Sequence, residues 1–169
     1  MNPVPSIAIV GRPNVGKSRL FNRLAGRRIS IVHDRPGVTR DVVTAESADG
    51  YMLMDTGGLG LRESMTPVEI QDATEVQVDF AIEATDLLLF VTDGREGLTP
   101  LDEMVADKLR RLGKKPLLVV NKIDFPNQVG RADEFAKLGF ENTFRVSAEH
   151  GYGVDGLVEE MRQRLGPVE

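Results

Sequence analysis

The chain contains no cysteine. Disulfides, thiol catalysis and thiolate metal centres are therefore excluded. Histidine is almost as scarce: His33 and His150 are the two present. Both fall in expected loops and receive no role beyond surface or capping duty. Long apolar runs are also missing. The longest are about strand length, far short of the ~20 residues that span a bilayer, so no membrane partner is expected. The opening residues carry no basic segment and their apolar run is cut at Gly11. They do not read as a signal peptide, and a cytoplasmic location is expected. Positive charge is not in excess either. The net charge is −5, unlike a general nucleic-acid binder.

What is present is a soluble globular composition, with 41% apolar and 28% charged residues over 169 positions. That length suits one domain with a full core. Apolar runs at 7–10, 87–91 and 117–120 alternate with helical patterns. This argues for an α/β fold with a mostly parallel sheet of about six strands. Asp49-Gly50 is a hairpin dipeptide between runs 42–47 and 51–55 and predicts one antiparallel strand. The stretch 28–41 reads as a loop, 57–65 as a glycine-rich segment, and 68–84 as a helix. Thr99 and Pro100 read as N-cap and first residue of the next helix, with Asp102 and Glu103 suiting its positive end. A short helix is expected at 132–138, a weak strand at 143–146 and an amphipathic helix from Val154 to Leu165.

The charge is uneven. Arg19, Arg23 and Arg27 are four apart and line one face of the helix that follows the first strand. The plain interpretation is a solvated face; a contact to RNA or a ribosomal surface is the alternative.

Residues 11–18 read GRPNVGKS and follow the 7–10 strand. Gly11, Arg12, Pro13, Asn14, Val15, Gly16, Lys17, Ser18 and the following Arg19 form a phosphate-binding loop opening a helix. Such a turn presents successive backbone N–H groups to an anion, and the helix N-terminus adds partial positive charge. Lys17 can reach β- and γ-phosphates, and the Ser18 hydroxyl can ligate Mg²⁺. Asp55, Thr56, Gly57, Gly58 and Leu59 follow the 51–55 strand. Asp55 is placed to hold Mg²⁺ through water, and Gly58 to bring an N–H to the γ-phosphate. Thr39, in the irregular segment, is a further candidate Mg²⁺ ligand and γ-phosphate sensor.

Asn121, Lys122 and Asp124 follow the 117–120 strand as NKID. A carboxylate there can accept two parallel hydrogen bonds from guanine N1–H and its exocyclic amine. Adenine lacks that donor pair, and an unpaired buried acceptor rejects it by roughly 10⁴. Asn121 can brace the site and the Lys122 stem can cover the purine. Ser147 and Ala148 follow the last strand, where the Ala148 N–H can meet guanine O6.

These elements, in this order, resemble the translation-factor-related P-loop GTPases over nearly the whole chain. FNRL at 21–24, PGVTRD at 36–41 and DGREGLTPLD at 93–102 narrow the resemblance to bacterial members with two consecutive G domains and a KH-like C-terminal domain, which act in assembly of the large ribosomal subunit. The resemblance implies a three-layer G domain over 1–166, a linker starting at 167–169, and a fragment of a longer protein whose second G domain and KH-like domain lie elsewhere. It implies GTP and GDP as ligands, and Lys17, Thr39, Gly58 and Asn14 as catalytic. It also implies K⁺ at Asn14, completed by carbonyls near 34–38; the alternative for Asn14 is a local hydrogen bond within the loop. Arg19 and Arg35 depart from the usual pattern, which points to altered surface or switch detail. Leu59 stands where some relatives carry a water-orienting Gln, so slow basal turnover or a different catalytic element is expected. The rival functions are a GTP-regulated binding module with negligible turnover and an adenine-nucleotide enzyme such as a small kinase; the NKID motif opposes the second.

Overall fold

The structure is a computed structural model that describes residues 3–28, 42–61 and 64–168, with the backbone alone at 27 and 28. Thr39, Arg35, His33 and the carbonyls near 34–38 lie outside the described residues.

The central strand is β1 (Ser6–Val10), and its two faces explain the layers. Ile7 and Ile9 join a cluster with Leu20, Phe21, Leu24, Leu157 and Met161, while Ala8 and Val10 join another with Val78, Ala81, Val105 and Leu109. Alternate residues point to opposite faces of a strand. A strand covered on both sides must therefore be apolar throughout. The helices supplying those covers are α1 (Lys17–Leu24) and α4 (Val154–Leu165) on one face, and α2 (Pro67–Ala84) and α3 (Pro100–Arg111) on the other.

The remaining strands are β2 (Ala25–Arg28), β3 (Val43–Ser47), β4 (Met52–Asp55), β5 (Leu87–Asp93), β6 (Leu117–Asn121) and β7 (Thr143–Arg145). The sheet order is β2-β3-β4-β1-β5-β6-β7. Seven strands form where about six were expected. The added one is β2, whose AGRR sequence has no apolar alternation to reveal it. It pairs antiparallel with β3, and β3 pairs antiparallel with β4. So β3 alone runs against the other six, as the Asp49-Gly50 turn requires. Gly50, at φ 89°, donates its amide to the Ser47 carbonyl at 2.9 Å and closes that turn.

Both long helices start with capping boxes. The Thr66 hydroxyl takes the Glu69 amide and the Glu69 carboxylate takes the Thr66 amide; Thr99 and Asp102 do the same for α3. Each has Pro at its first position, where the missing N–H costs nothing. The expected 132–138 helix is a longer 3₁₀ segment, Pro126–Leu138, burying Ala132, Phe135 and Leu138. Within the expected linker, Val168 packs against the β1–α4 cluster, and just before it the Tyr51 hydroxyl donates to the Gly166 carbonyl. Among the described residues no helix is long and apolar enough to cross a membrane.

Because β1, β4, β5, β6 and β7 run in parallel, their carboxyl ends share one edge of the sheet. In open α/β sheets that edge is where ligands bind. The 11–18 loop, residues 55–59, the 93–102 segment, the 121–124 motif and Ser147-Ala148 all sit at or just after the ends of these strands.

Candidate nucleotide site

The 11–18 loop runs from β1 into α1 along a path set by two glycines. Gly11 has φ 152°, and a Cβ there would sit 2.4 Å from the Val91 carbonyl oxygen. Gly16 has φ 95°, and its Cβ would sit 2.3 Å from the Asn121 side-chain nitrogen. The loop is thus moulded onto β5 and onto the base motif at once. Gly16 is also the N-cap of α1 and supplies no side-chain cap. The first amides of that helix are satisfied by no capping side chain, which suits an anion.

Lys17 is buried, and its ammonium donates to the Gly11 carbonyl at 2.7 Å and the Arg12 carbonyl at 2.6 Å. Burial pulls its pKa down to about 8; nearby Asp55 opposes that shift and Arg12 adds to it. Ser18 donates its hydroxyl to Asp55 Oδ2 at 3.0 Å, and the Gly57 amide donates to Asp55 Oδ1 at 2.9 Å. A hydroxyl and a carboxylate this close form a hard-oxygen donor pair of the kind Mg²⁺ takes. The Asn14 backbone is left-handed, at φ 68°. Its side chain lines the cleft and makes no hydrogen bond among the described residues.

At the other end, Asn121 ties three segments together. Its Nδ2 donates to the Val15 carbonyl at 3.0 Å, and its Oδ1 accepts the Ala148 amide at 2.9 Å. Asn121 thus links the phosphate loop to the loop after β7, and the Ala148 N–H, the expected guanine O6 donor, points to Asn121 Oδ1 in this structure. Asp124 accepts the Ser147 hydroxyl at 2.7 Å on Oδ1 and Arg95 Nη2 at 2.7 Å on Oδ2. The Ser147 hydroxyl, followed by Arg95, holds its pKa below the usual carboxylate value against the opposing effect of burial. Lys122 donates to the Asn14 carbonyl and to Asp93 Oδ2, both at 2.8 Å.

One cleft of about 1090 Å³ joins the two ends. It collects Pro13, Asn14, Gly16, Lys17, Ser18, Arg19, Gly57, Asn121, Lys122, Asp124 and Ala148 from the sequence expectations. The side chains of Val15 and Leu59 are fully buried and pack in hydrophobic clusters, and the Thr56 hydroxyl is turned to the Ile9 carbonyl. Those residues offer the cleft their backbone only. Buried Arg12 points behind the loop, its Nη1 donating to Glu96 and its Nε lying 3.3 Å from Asp102. Asp102 is thus more than a cap: it pairs the phosphate loop with α3. Gly58 is exposed, and a Cβ there would meet nothing within 4 Å.

Sequence reasoning missed Arg23, Arg95 and Gln77. Arg23 lies on the exposed helix face its spacing indicates, and from there it donates to the Ala148 and Glu149 carbonyls at 3.1 and 2.8 Å, spanning to the base loop. Gln77 donates to the Leu59 carbonyl at 3.0 Å and pins the turn after Asp55. Arg95 lay within the 93–102 motif, but nothing in that motif said what it would touch.

A phosphate loop, a hydroxyl–carboxylate donor pair and a braced base-reading carboxylate at the strand ends define a P-loop G domain. The chain belongs to the 50S ribosome-binding GTPase family, whose pattern matches residues 6–122. It is 48% identical over 164 residues to the GTPase Der of Akkermansia muciniphila, covering 95% of this chain and 35% of that protein. It is 49% identical over 160 residues to the GTPase Der of Geotalea daltonii, covering 93% of this chain and 36% of that protein. The chain therefore spans about a third of the length of these relatives. Among solved structures, a variant of Aquifex aeolicus Era bound to GDP and AlF₄⁻ superposes with a TM-score of 0.71 at 29% identity, covering 99% of this chain and 59% of that one.

Proposed function

We propose that the chain is a GTP-binding and GTP-hydrolysing switch domain, working within a longer protein in assembly of the large ribosomal subunit. The observation that carries this is the position of Asp124. Its carboxylate is fixed by Ser147 at one end of the cleft that holds Lys17 and Ser18 at the other. A purine seated against Asp124 directs its phosphates toward the loop.

Lys17 leaves the Gly11 and Arg12 carbonyls for the β- and γ-phosphates, where its charge is better compensated. The loop amides and the α1 N-terminus hold the same oxygens. Ser18, Asp55 and Thr39 would hold Mg²⁺, which supplies positive charge at those oxygens when bound. Asn14 would hold K⁺ beside them. The segments 34–41 and 57–71 serve as the switches, sensing the γ-phosphate through Thr39 and the Gly58 amide. Residues 1–166 form the G domain. The rest of the longer protein supplies a second G domain, a KH-like domain and contact with the ribosomal subunit or its RNA. The name of the family and the Der relatives support that role, and a cytoplasmic location goes with it.

Competition binding of GTP against ATP tests the base assignment: GTP is expected to displace a fluorescent GDP and ATP to fail. Hydrolysis in KCl against NaCl tests Asn14; equal rates would remove K⁺ from the scheme. A second reading is a GTP-regulated binding module with negligible turnover. Its support is Leu59, which is fully buried beside Val42, Met54 and Phe80 and cannot orient water. Single-turnover hydrolysis with and without K⁺ separates the two.

A further inference from the structure

Strand β5 ends at Asp93, in register with Asn121 of β6. The chain then turns sharply; two hydrogen bonds close that turn on itself and two more fix it against the base motif. Asp93 Oδ1 accepts the amides of Arg95 and Glu96 at 2.8 and 3.0 Å. Asp93 Oδ2 takes Lys122 Nζ at 2.8 Å. The Gly94 amide donates to the Asn121 carbonyl at 2.8 Å, so close that a Cβ on Gly94 would stand 2.6 Å from Ile123 Cδ1. Arg95 is therefore held at the base end of the cleft by its own backbone.

Its guanidinium meets Asp124 there. The Asp124 side chain is 7% exposed and that of Arg95 61%. Ser147 grips one carboxylate oxygen and Arg95 the other, each at 2.7 Å. A carboxylate held on both oxygens cannot rotate about its last torsion. Each oxygen has two acceptor positions, so each keeps one for a ligand. A neutral purine closing over Asp124 would further desolvate an already buried anion, which is costly unless a counter-charge stays beside it. An arginine, permanently charged and planar, fits that place.

Resting on the GTP reading above, we propose that Arg95 is a specificity-determining positioning residue, which holds and neutralises the Asp124 carboxylate so that both its oxygens meet the two N–H donors of guanine. It acts through Asp124 and does not itself read the base.

The test is equilibrium binding of fluorescent GDP and XDP to the parent chain, Arg95→Ala, Arg95→Lys, Asp124→Asn and the double variant Asp124→Asn/Arg95→Ala. For a pair exposed on one side, Arg95→Ala is expected to weaken GDP binding about fivefold, and Arg95→Lys to recover part of that loss. In the Asp124→Asn background, where XDP replaces GDP, removing Arg95 is expected to change affinity less than about twofold, because the charge it serves is gone. Tighter GDP binding by Arg95→Ala would mean that Arg95 competes with the base, and would overturn the proposal. An equal loss for XDP in the Asp124→Asn background would also overturn it, placing Arg95 on the nucleotide itself. Parent protein that binds no GDP would instead overturn the GTP reading on which this rests.

Discussion

The two ends of the cleft are built by different means. At the phosphate end the structure is backbone: two glycines with positive φ, a helix N-terminus with no capping side chain, and a buried ammonium resting on two carbonyls. At the base end it is paired side chains: Ser147 and Arg95 on Asp124, Asn121 bridging Val15 and Ala148, Lys122 on Asp93. The contrast follows from the ligands. Any phosphate is met well by amides and a cation at short range, so a rigid turn is enough. A base must be told from its rivals, which takes acceptors and donors aimed individually and held still. On the proposed reading, the phosphate end would set affinity and the base end identity.

The sharpest break of that comparison is Asp124→Asn. Guanine recognition is expected to fall by about 10³-fold or more and preference to pass to xanthine nucleotides, measured by competition against fluorescent GDP. Unchanged GTP affinity would remove Asp124 from the base site. Lys17→Ala is expected to cost about 10²-fold in GTP affinity, from lost charge-assisted phosphate bonds, while leaving the ratio of GTP to ITP binding unaltered. A changed ratio would show that the two ends are not separable.

Gly16→Ala strikes both at once. Its Cβ would overlap the Asn121 amide in a backbone that only glycine adopts easily, so about 2–3 kcal/mol of stability should be lost in urea unfolding. The acid limb of stability is a smaller effect. Burial alone would raise the Asp93 carboxyl, but the Lys122 ammonium and the Glu96 and Arg95 amides outweigh it and hold its pKa below the ordinary value. The stability this gives is complete above about pH 4 and is lost as pH falls through the folded-state pKa. Asp93→Asn should flatten that loss in urea titrations carried below about pH 4; an unaltered slope would show that the Lys122 pair contributes nothing. Gly58→Ala is expected to change stability by less than about 0.5 kcal/mol, since its Cβ would enter open space. A fall in hydrolysis without a fall in GDP binding would then mark the Gly58 amide as a γ-phosphate contact.

Much of this was legible from local spacing. Continuous apolar runs marked strands buried on both faces, and Thr-Pro pairs or a Gly marked helix ends; α3 starts where Thr99 and Pro100 said it would. Strand β2 was not legible, because an AGRR segment is held by backbone pairing to β3 and carries no pattern of its own. Helical periodicity puts Arg23 on an exposed face, as the structure does, but it does not show what stands opposite that face, so the bonds to the Ala148 and Glu149 carbonyls were not legible.

The sequence by itself determined the nucleotide chemistry. The loop at 11–18, Asp55 and the 121–124 motif are each recognised by residue type and order over a few adjacent positions, at the ends of apolar runs. Only the tertiary structure decided who holds whom: Arg95 with Asp124 across 29 positions, Asn121 with Val15 across 106, Arg23 with Ala148 across 125. Those partners meet because a mostly parallel sheet brings five strand ends to one edge. No spacing along the chain encodes which side chains will then be within 3 Å of one another.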